Sequence, residues 1–323
     1  HSISKKKGND IDLETLGIDG EVFLVNKHGH AVSPHEILET KEKATWFPTV
    51  IGDMAWYRDG FLCEVNFKNG LFCRGHVAMG LSRAFQQLYA RIAPYGYSLS
   101  AEPTKDIVFD DAAPSDVYAL GCLPSKNFYG EPFLLAGVSP KTVPYRTAGC
   151  HVHLSTSDKT KWKDNEQLVP LFDKYVGLPL TYLTTHQNAE ARRRTLYGRA
   201  GEYRLTAYKS GERGIEYRVP SGFLLTYAPL VSLALGVMRE ITHRSEGSYS
   251  CAISEHDEIR AMINESQVKA HALPSNTKWY TPNVLKRARE KLARITLTDW
   301  SVLQTDAQAH DFGWDQFRKG LAQ

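Results

Sequence analysis

Five short runs of this sequence carry two polar or ionisable side chains two residues apart, with apolar residues between and beside them. They lie near 16–25, 60–67, 148–155, 200–206 and 214–219. In a strand, side chains at i and i+2 leave one face and i+1 leaves the other. Asp19 and Glu21 therefore share a face opposite Val22 and Leu24, and Glu64 and Asn66 share one opposite Cys63, Val65 and Phe67. His151 and His153 stand over Cys150, Val152 and Leu154; Glu202 and Arg204 over Tyr203 and Leu205; Glu216 and Arg218 over Ile215, Tyr217 and Val219. Joined in one sheet, these runs make an apolar back and a face of carboxylates, imidazoles and guanidinium groups. Such a back must be covered, and helices are the expected cover.

The cover is visible in the spacing. Val77, Leu81, Ala84, Leu88 and Ile92 recur at helical steps, as do Leu168, Leu171, Phe172, Tyr175 and Val176. The uncharged stretch Val219–Met238 is broken by Pro220, Gly222, Pro229 and Gly236, so it reads as a buried helix rather than a membrane span. Residues 104–147 are rich in Pro, Gly, Asp and Ser and show little periodicity, the pattern of a long functional loop. Strand patterns stop near 250, and Leu285, Ala288, Leu292 and Ile295 mark an amphipathic helix beyond. The expected organisation is a flexible basic tail over 1–13 around Lys5–Lys7, an α+β domain over 14–250, and a helical C-terminal extension over 251–323.

Charge narrows the partners. Lys+Arg 39 against Asp+Glu 36 leaves +3, too little to imply nucleic acid or a membrane surface. The five cysteines (Cys63, Cys73, Cys122, Cys150 and Cys251) are odd in number and form no C-x-x-C, which argues against a disulfide framework or zinc knuckle. With no signal peptide to be read, a reducing, cytoplasmic setting is expected.

Carboxylate oxygens with an imidazole suit Mg²⁺ or Mn²⁺, and arginines suit phosphate. Together they describe a site for a metal-bound nucleotide, yet neither G-x-x-x-x-G-K-[ST] nor G-x-G-x-x-G occurs. Each pair alone has a plainer reading: any half-exposed strand alternates, His151 and His153 suit zinc or a bare surface, and Glu216 with Arg218 suits a structural ion pair. Their joint occurrence favours a site.

The ordered set Gly17-Ile-Asp-Gly-Glu21, Glu64-Val-Asn-Phe67, Ala148-Gly-Cys-His-Val-His153, Arg199-Ala-Gly-Glu-Tyr-Arg204 and Gly214-Ile-Glu-Tyr-Arg-Val-Pro220 resembles the glutamine synthetase-like carboxylate–amine ligases over roughly 14–243. Gly121-Cys-Leu-Pro-Ser-Lys-Asn127 and the run Arg192–Gly198 are similar to elements of the bacteriophage type 2 COOH-NH2 ligase (amidoligase) branch. The resemblance implies a curved antiparallel sheet backed by helices, the catalytic fold shared with guanidino kinases. It implies metal ligation by Asp19, Glu21, Glu64, His151 and Glu216, with His153 near the nucleotide phosphates. Arg199 and Arg204 resemble arginines that neutralise the transferred phosphate, and Arg218 the arginine beside the transfer site. ATP and Mg²⁺ or Mn²⁺ are the implied cofactors. An acidic residue that glutamine synthetase carries after its second-strand glutamate has no evident counterpart here.

The implied chemistry is amide formation between a small-molecule or peptide carboxylate and an amine, through an acyl phosphate. A small-molecule phosphotransferase on the same fold and a non-catalytic phage protein retaining the scaffold are the alternatives. Substrate contacts are expected from Asn66, Asn127, Arg146, Arg192, Arg193 and Glu202, with 104–147 and the arginine run at the mouth of the site, since an arginine fork binds both oxygens of a carboxylate.

Overall fold

Every strand read from the sequence joins one ten-stranded sheet in the computed structural model. The structure describes residues 14–49, 52–71, 73–120, 125–135, 137–156, 165–207, 213–243, 249–295, 297 and 314–322. The basic run Lys5–Lys7 and Cys122 lie outside the described residues. The main strands are β1 (Glu14–Val25), β2 (Phe47–Thr49), β3 (Gly52–Asp59), β4 (Leu62–Phe67), β5 (Lys126–Asn127), β6 (Cys150–Thr156), β7 (Glu202–Ala207) and β8 (Arg213–Tyr217). They run β2-β3-β4-β1-β6-β8-β7-β5, each antiparallel to its neighbours. The end of β1 leaves this order and pairs instead with Ala31–Val32 and Ser98–Ser100.

Strands β2 and β3 are additions to the sequence reading. In β3, Met54, Ala55, Trp56 and Tyr57 are all buried, so the alternation that marks a half-exposed strand is missing there. The stretch 104–147 is also more ordered than a loop reading suggests. Thr104–Asp106 pairs with Tyr145–Thr147, and β5 closes the far edge of the sheet against β7.

The main helices are α1 (Arg74–Ile92), α2 (Gln187–Arg194), α3 (Ala228–His243), α4 (His256–Asn264), α5 (Pro282–Leu292) and α6 (Trp314–Ala322); α1 and α3 pack against the sheet, and α2 against the Thr104–Asp106 strand. Cys73 caps α1, its Sγ accepting from the His76 N–H at 3.4 Å. One stripe of α1, Val77, Leu81, Ala84, Phe85 and Leu88, is fully buried, and Trp56 of β3 donates to the Ala84 carbonyl at 2.5 Å while its ring meets Phe85 edge-on at 5.2 Å. Gly20 sits between Asp19 and Glu21 on the back face, where an added Cβ would come within 2.7 Å of Leu225; glycine there lets the turn after β8 press against the sheet.

The apolar stretch Val219–Met238 is a short turn over Gly222–Thr226 followed by α3, which is buried nearly all round. No described helix is long and apolar enough to cross a membrane. Ile259 and Ile263 of α4, Leu285 and Leu292 of α5, and Trp314 and Phe317 of α6 join the same hydrophobic core as the sheet and α1.

Candidate functional site

Register decides which polar groups meet. Across β3, β4 and β1, Tyr57 stands opposite Glu64 and Glu64 opposite Glu21. Asp19 stands opposite His151 and Gly17 opposite His153; His153 then faces Glu216, and Glu216 faces Arg204. A row of side chains from six strands thus crosses the polar face.

Asp19, Glu21, Glu64, His151 and Glu216 all line one cavity of about 430 Å³, with Arg204 and Arg218. A second cavity of about 590 Å³ adjoins it, lined by Thr15, Gly17, Asn66, His153, Ser155 and Thr206. Asp19, Lys41, Arg204 and Glu216 line both, so the two are lobes of one cleft over the sheet.

At one end, carboxylate oxygens of Glu21, Asp59 and Glu64 lie within 4.8 Å of one another. Burial, followed by the charge of Asp59, pushes the Glu21 carboxyl up to about 8. Burial and the neighbouring Asp19, Glu21 and Asp59 push Glu64 well above the usual carboxylate range, and burial raises Asp59. The protein anchors this group without neutralising it: Gly149 N–H donates to Glu21 and the Tyr57 hydroxyl to Glu64. Three crowded carboxyl oxygens fit a hard divalent cation, Mg²⁺ or Mn²⁺, whose charge would offset the burial and mutual repulsion that favour their protonated forms.

The other end is already paired. His153 Nε2 lies 3.0 Å from Asp19 Oδ2; burial opposes charge on both, but their attraction prevails, holding Asp19 below the usual range and His153 above it. His151 is pushed well below the usual histidine range by burial and by Arg218. Its Nδ1 is 3.2 Å from Glu216 Oε1 and its Nε2 is 2.7 Å from the Tyr197 hydroxyl. A neutral ring donating from Nδ1 and accepting at Nε2 satisfies both contacts. Glu216 also lies 3.5 Å from Arg204 and 3.6 Å from Arg218, which is wholly buried. Gly149 makes the Tyr197 contact possible, because a Cβ there would fall 1.7 Å from the Tyr197 hydroxyl.

The structure thus gathers Asp19, Glu21, Glu64, His151, His153, Arg204, Glu216, Arg218 and Asn66 in one cleft. Six other expected site residues do not line it. Arg199 pairs with Glu131 at 3.0 Å and faces a separate cavity beside α4. Glu202 turns back to accept from the Gly198 and Arg199 N–H groups at 2.9 and 3.1 Å, and Asn127 donates to the Ala200 carbonyl at 2.8 Å. Both hold the turn before β7. Arg146, 3% exposed, donates to the carbonyls of Val143, Tyr145 and Tyr118 and so ties the 104–147 segment together.

Arg193 is fully buried and donates to the carbonyls of Val219 and Pro220 at 2.8 and 2.9 Å, directly after the Glu216–Arg218 strand. Arg192 pairs with Asp106 at 2.7 Å and lies over the Tyr145 ring. The physical reason is common to all six: these groups satisfy backbone atoms or ion pairs in the connections, which an i, i+2 pattern does not reveal.

Asp59, Tyr57 and Lys41 also line the cleft, and Tyr197 touches His151 from beside it; none of the four stands in the five paired runs of the sequence. Asp59 ends β3 just before the Gly60-Phe61 turn, two residues after Tyr57 and on its face. The i, i+2 rule would have found it had β3 shown alternation. Asp59 precedes Glu64 in the chain rather than following it.

Residues 130–267 match the family described as phage phiEco32-like COOH.NH2 ligase-type 2, a segment that holds β6, β7 and β8. The resemblance to the carboxylate–amine ligases holds there. Among solved structures, the chain is similar to apo GmaS without ligand, at 13% identity and TM-score 0.35, over 97% of this chain and 70% of that one. It is also similar to the complex between the prokaryotic ubiquitin-like protein Pup and its ligase PafA, at 11% identity and TM-score 0.46, over 95% of this chain and 64% of that one. No curated protein matches the chain.

Proposed function

We propose that the cleft is the active site of an ATP- and Mg²⁺-dependent carboxylate–amine ligase that makes an amide or peptide-like bond through an acyl phosphate. The observation that carries this reading is the cleft itself: oxygen donors suited to divalent metal lie beside Arg204 and Arg218 on one sheet face. The match of residues 130–267 to a COOH.NH2 ligase family supports it.

A carboxylate is a poor acyl donor, so its oxygen first takes the γ-phosphoryl group of ATP and ADP leaves. The amine nitrogen then attacks the acyl carbon, inorganic phosphate departs, and the amine proton passes to a base. Phosphoryl transfer needs chiefly alignment and charge neutralisation. Glu21, Asp59 and Glu64 would hold a divalent cation, which supplies positive charge to the phosphates. Asp19, His151 and Glu216 line the adjoining wall as the other candidate ligands. His153, held toward the protonated state by Asp19, serves the nucleotide phosphates. Arg204 and Arg218 serve the transferred group. A sheet carboxylate takes the amine proton, and Asn66 contacts substrate.

The test is phosphate release from Mg-ATP with mixed carboxylic acids and amines, read together with product mass. Release that needs both partners, with a product equal to acid plus amine less water, supports the ligase. A stable phosphorylated acceptor formed without amine makes the protein a phosphotransferase. Absence of any thermal shift with Mg-ATP leaves only a retained scaffold.

A further inference from the structure

Two cations line both lobes of the cleft, Arg204 from β7 and Lys41 from a turn bound to β3. Lys41 opens a short 3₁₀ turn over Lys41–Lys43, tied to β3 by the Arg58 N–H, which donates to the Glu39 carbonyl at 2.8 Å, and by a bridge between Thr40 and Arg58. Its ammonium lies over the Tyr57 ring, 5.2 Å from the centroid, and that ring's hydroxyl in turn donates to Glu64. Asp19 feels the positive charge of both Lys41 and Arg204, while Asp59 feels that of Lys41 and Arg218. Yet among the described residues no carboxylate lies within ion-pair distance of the Lys41 ammonium, although Arg58, Arg192 and Lys105 all have one.

A flexible cation thus lines the junction of the two lobes together with Arg204, near the acidic cluster. A phosphoryl group passing from a nucleotide in one lobe to an acceptor in the other must cross that junction. Its oxygens carry charge that the sheet's carboxylates repel, so the transfer needs positive charge supplied beside it. A lysine supplies it as a compact charge on a stem that can follow a moving group, unlike the planar fork of an arginine.

We propose that Lys41 binds the terminal phosphoryl group of the nucleotide, clamping it against Arg204 during transfer. This rests on the ligase reading of the cleft and adds to it a residue from outside the sheet motifs. The anchored turn also means that the charge comes pre-positioned, since only the side chain must adapt. The side chain is exposed, so replacing it leaves the core untouched.

The test compares binding of Mg-ATP and Mg-ADP, by titration calorimetry on the full chain, to wild type, Lys41→Met and Lys41→Arg. The proposal expects Lys41→Met to weaken Mg-ATP by about 10- to 100-fold, the range for a lost hydrogen bond to a charged group, with Mg-ADP little changed. Lys41→Arg should recover part of the loss. Wild-type affinity for Mg-ATP in Lys41→Met overturns the assignment, and so does an equal loss for both nucleotides, which would place Lys41 away from the terminal phosphate. If wild type itself binds neither nucleotide, the ligase reading fails and takes this assignment with it.

Discussion

Glu21 and Glu64 stand directly opposite one another on neighbouring antiparallel strands, both nearly excluded from water, with Asp59 close enough to share a ligand. Burial and the facing like charge make the ionised forms of both costly, which holds them above the usual carboxylate range. A fold that keeps them together without a neutralising lysine or arginine between them accepts that cost for what the trio can hold.

Glu21→Gln should therefore stabilise the metal-free protein, by roughly 0.5–1 kcal/mol. On the proposed ligase reading, the same change should abolish Mg-ATP turnover and remove the gain in melting temperature expected for wild type with Mn²⁺. Calorimetric scans with and without Mn²⁺ check both effects. A variant that melts lower than wild type without metal would contradict the repulsion argument.

Glu216 lies at the centre of a different arrangement, touching His151, Arg204 and Arg218. Glu216→Gln keeps the volume but removes the charge that these groups share. Turnover should fall at least about 100-fold, as when one preorganised electrostatic contact is lost. The stability cost should be about 1–3 kcal/mol. Turnover assays beside urea denaturation separate the two, and wild-type turnover would take Glu216 out of the reacting set.

Asp173 offers a pH dependence away from the cleft. It is wholly buried under β8, accepts from the hydroxyls of Tyr217 at 2.6 Å and Tyr129 at 2.9 Å, and is pushed by burial from 3.8 to about 7. The fold favours its protonated form. Its contribution is complete below the unfolded value near 3.8 and is lost as pH rises through about 7. Denaturation measured from pH 4 to pH 8 should show wild type losing stability relative to Asp173→Asn over that window; parallel curves would refute the assignment.

The C-terminal helix α6 is held by Trp314, whose indole N–H donates to the Trp279 carbonyl at 2.7 Å and whose ring is completely buried. Trp314→Ala should cost about 3–5 kcal/mol. Because α6 joins the common core, unfolding should remain one transition, with a lower midpoint. Two separated transitions in the calorimeter would instead make the last helices an independent unit.

Alternation by itself determined the polar face of the sheet. Asp19, Glu21, Glu64, Asn66, His151, His153, Arg204, Glu216 and Arg218 were legible because a strand's period of two ties side-chain direction to sequence position. Helical spacing gave away α1 and α5, and the broken apolar stretch α3, for the same local reason. Tertiary structure decided what local rules cannot reach. Strand order and register made Glu21 face Glu64, and the burial of β3 on both faces hid Asp59 from any periodic signal. The connections were decided there too: Arg193, Arg146, Glu202 and Asn127 look in sequence like free polar groups, yet each is taken up by backbone atoms that only the folded chain brings near. Lys41 shows the converse, an unremarkable surface lysine in sequence that a turn anchored on β3 carries to the junction of two cavities. A side chain's direction within a strand is a local property of the backbone; which groups compete for it is a property of the whole packed chain.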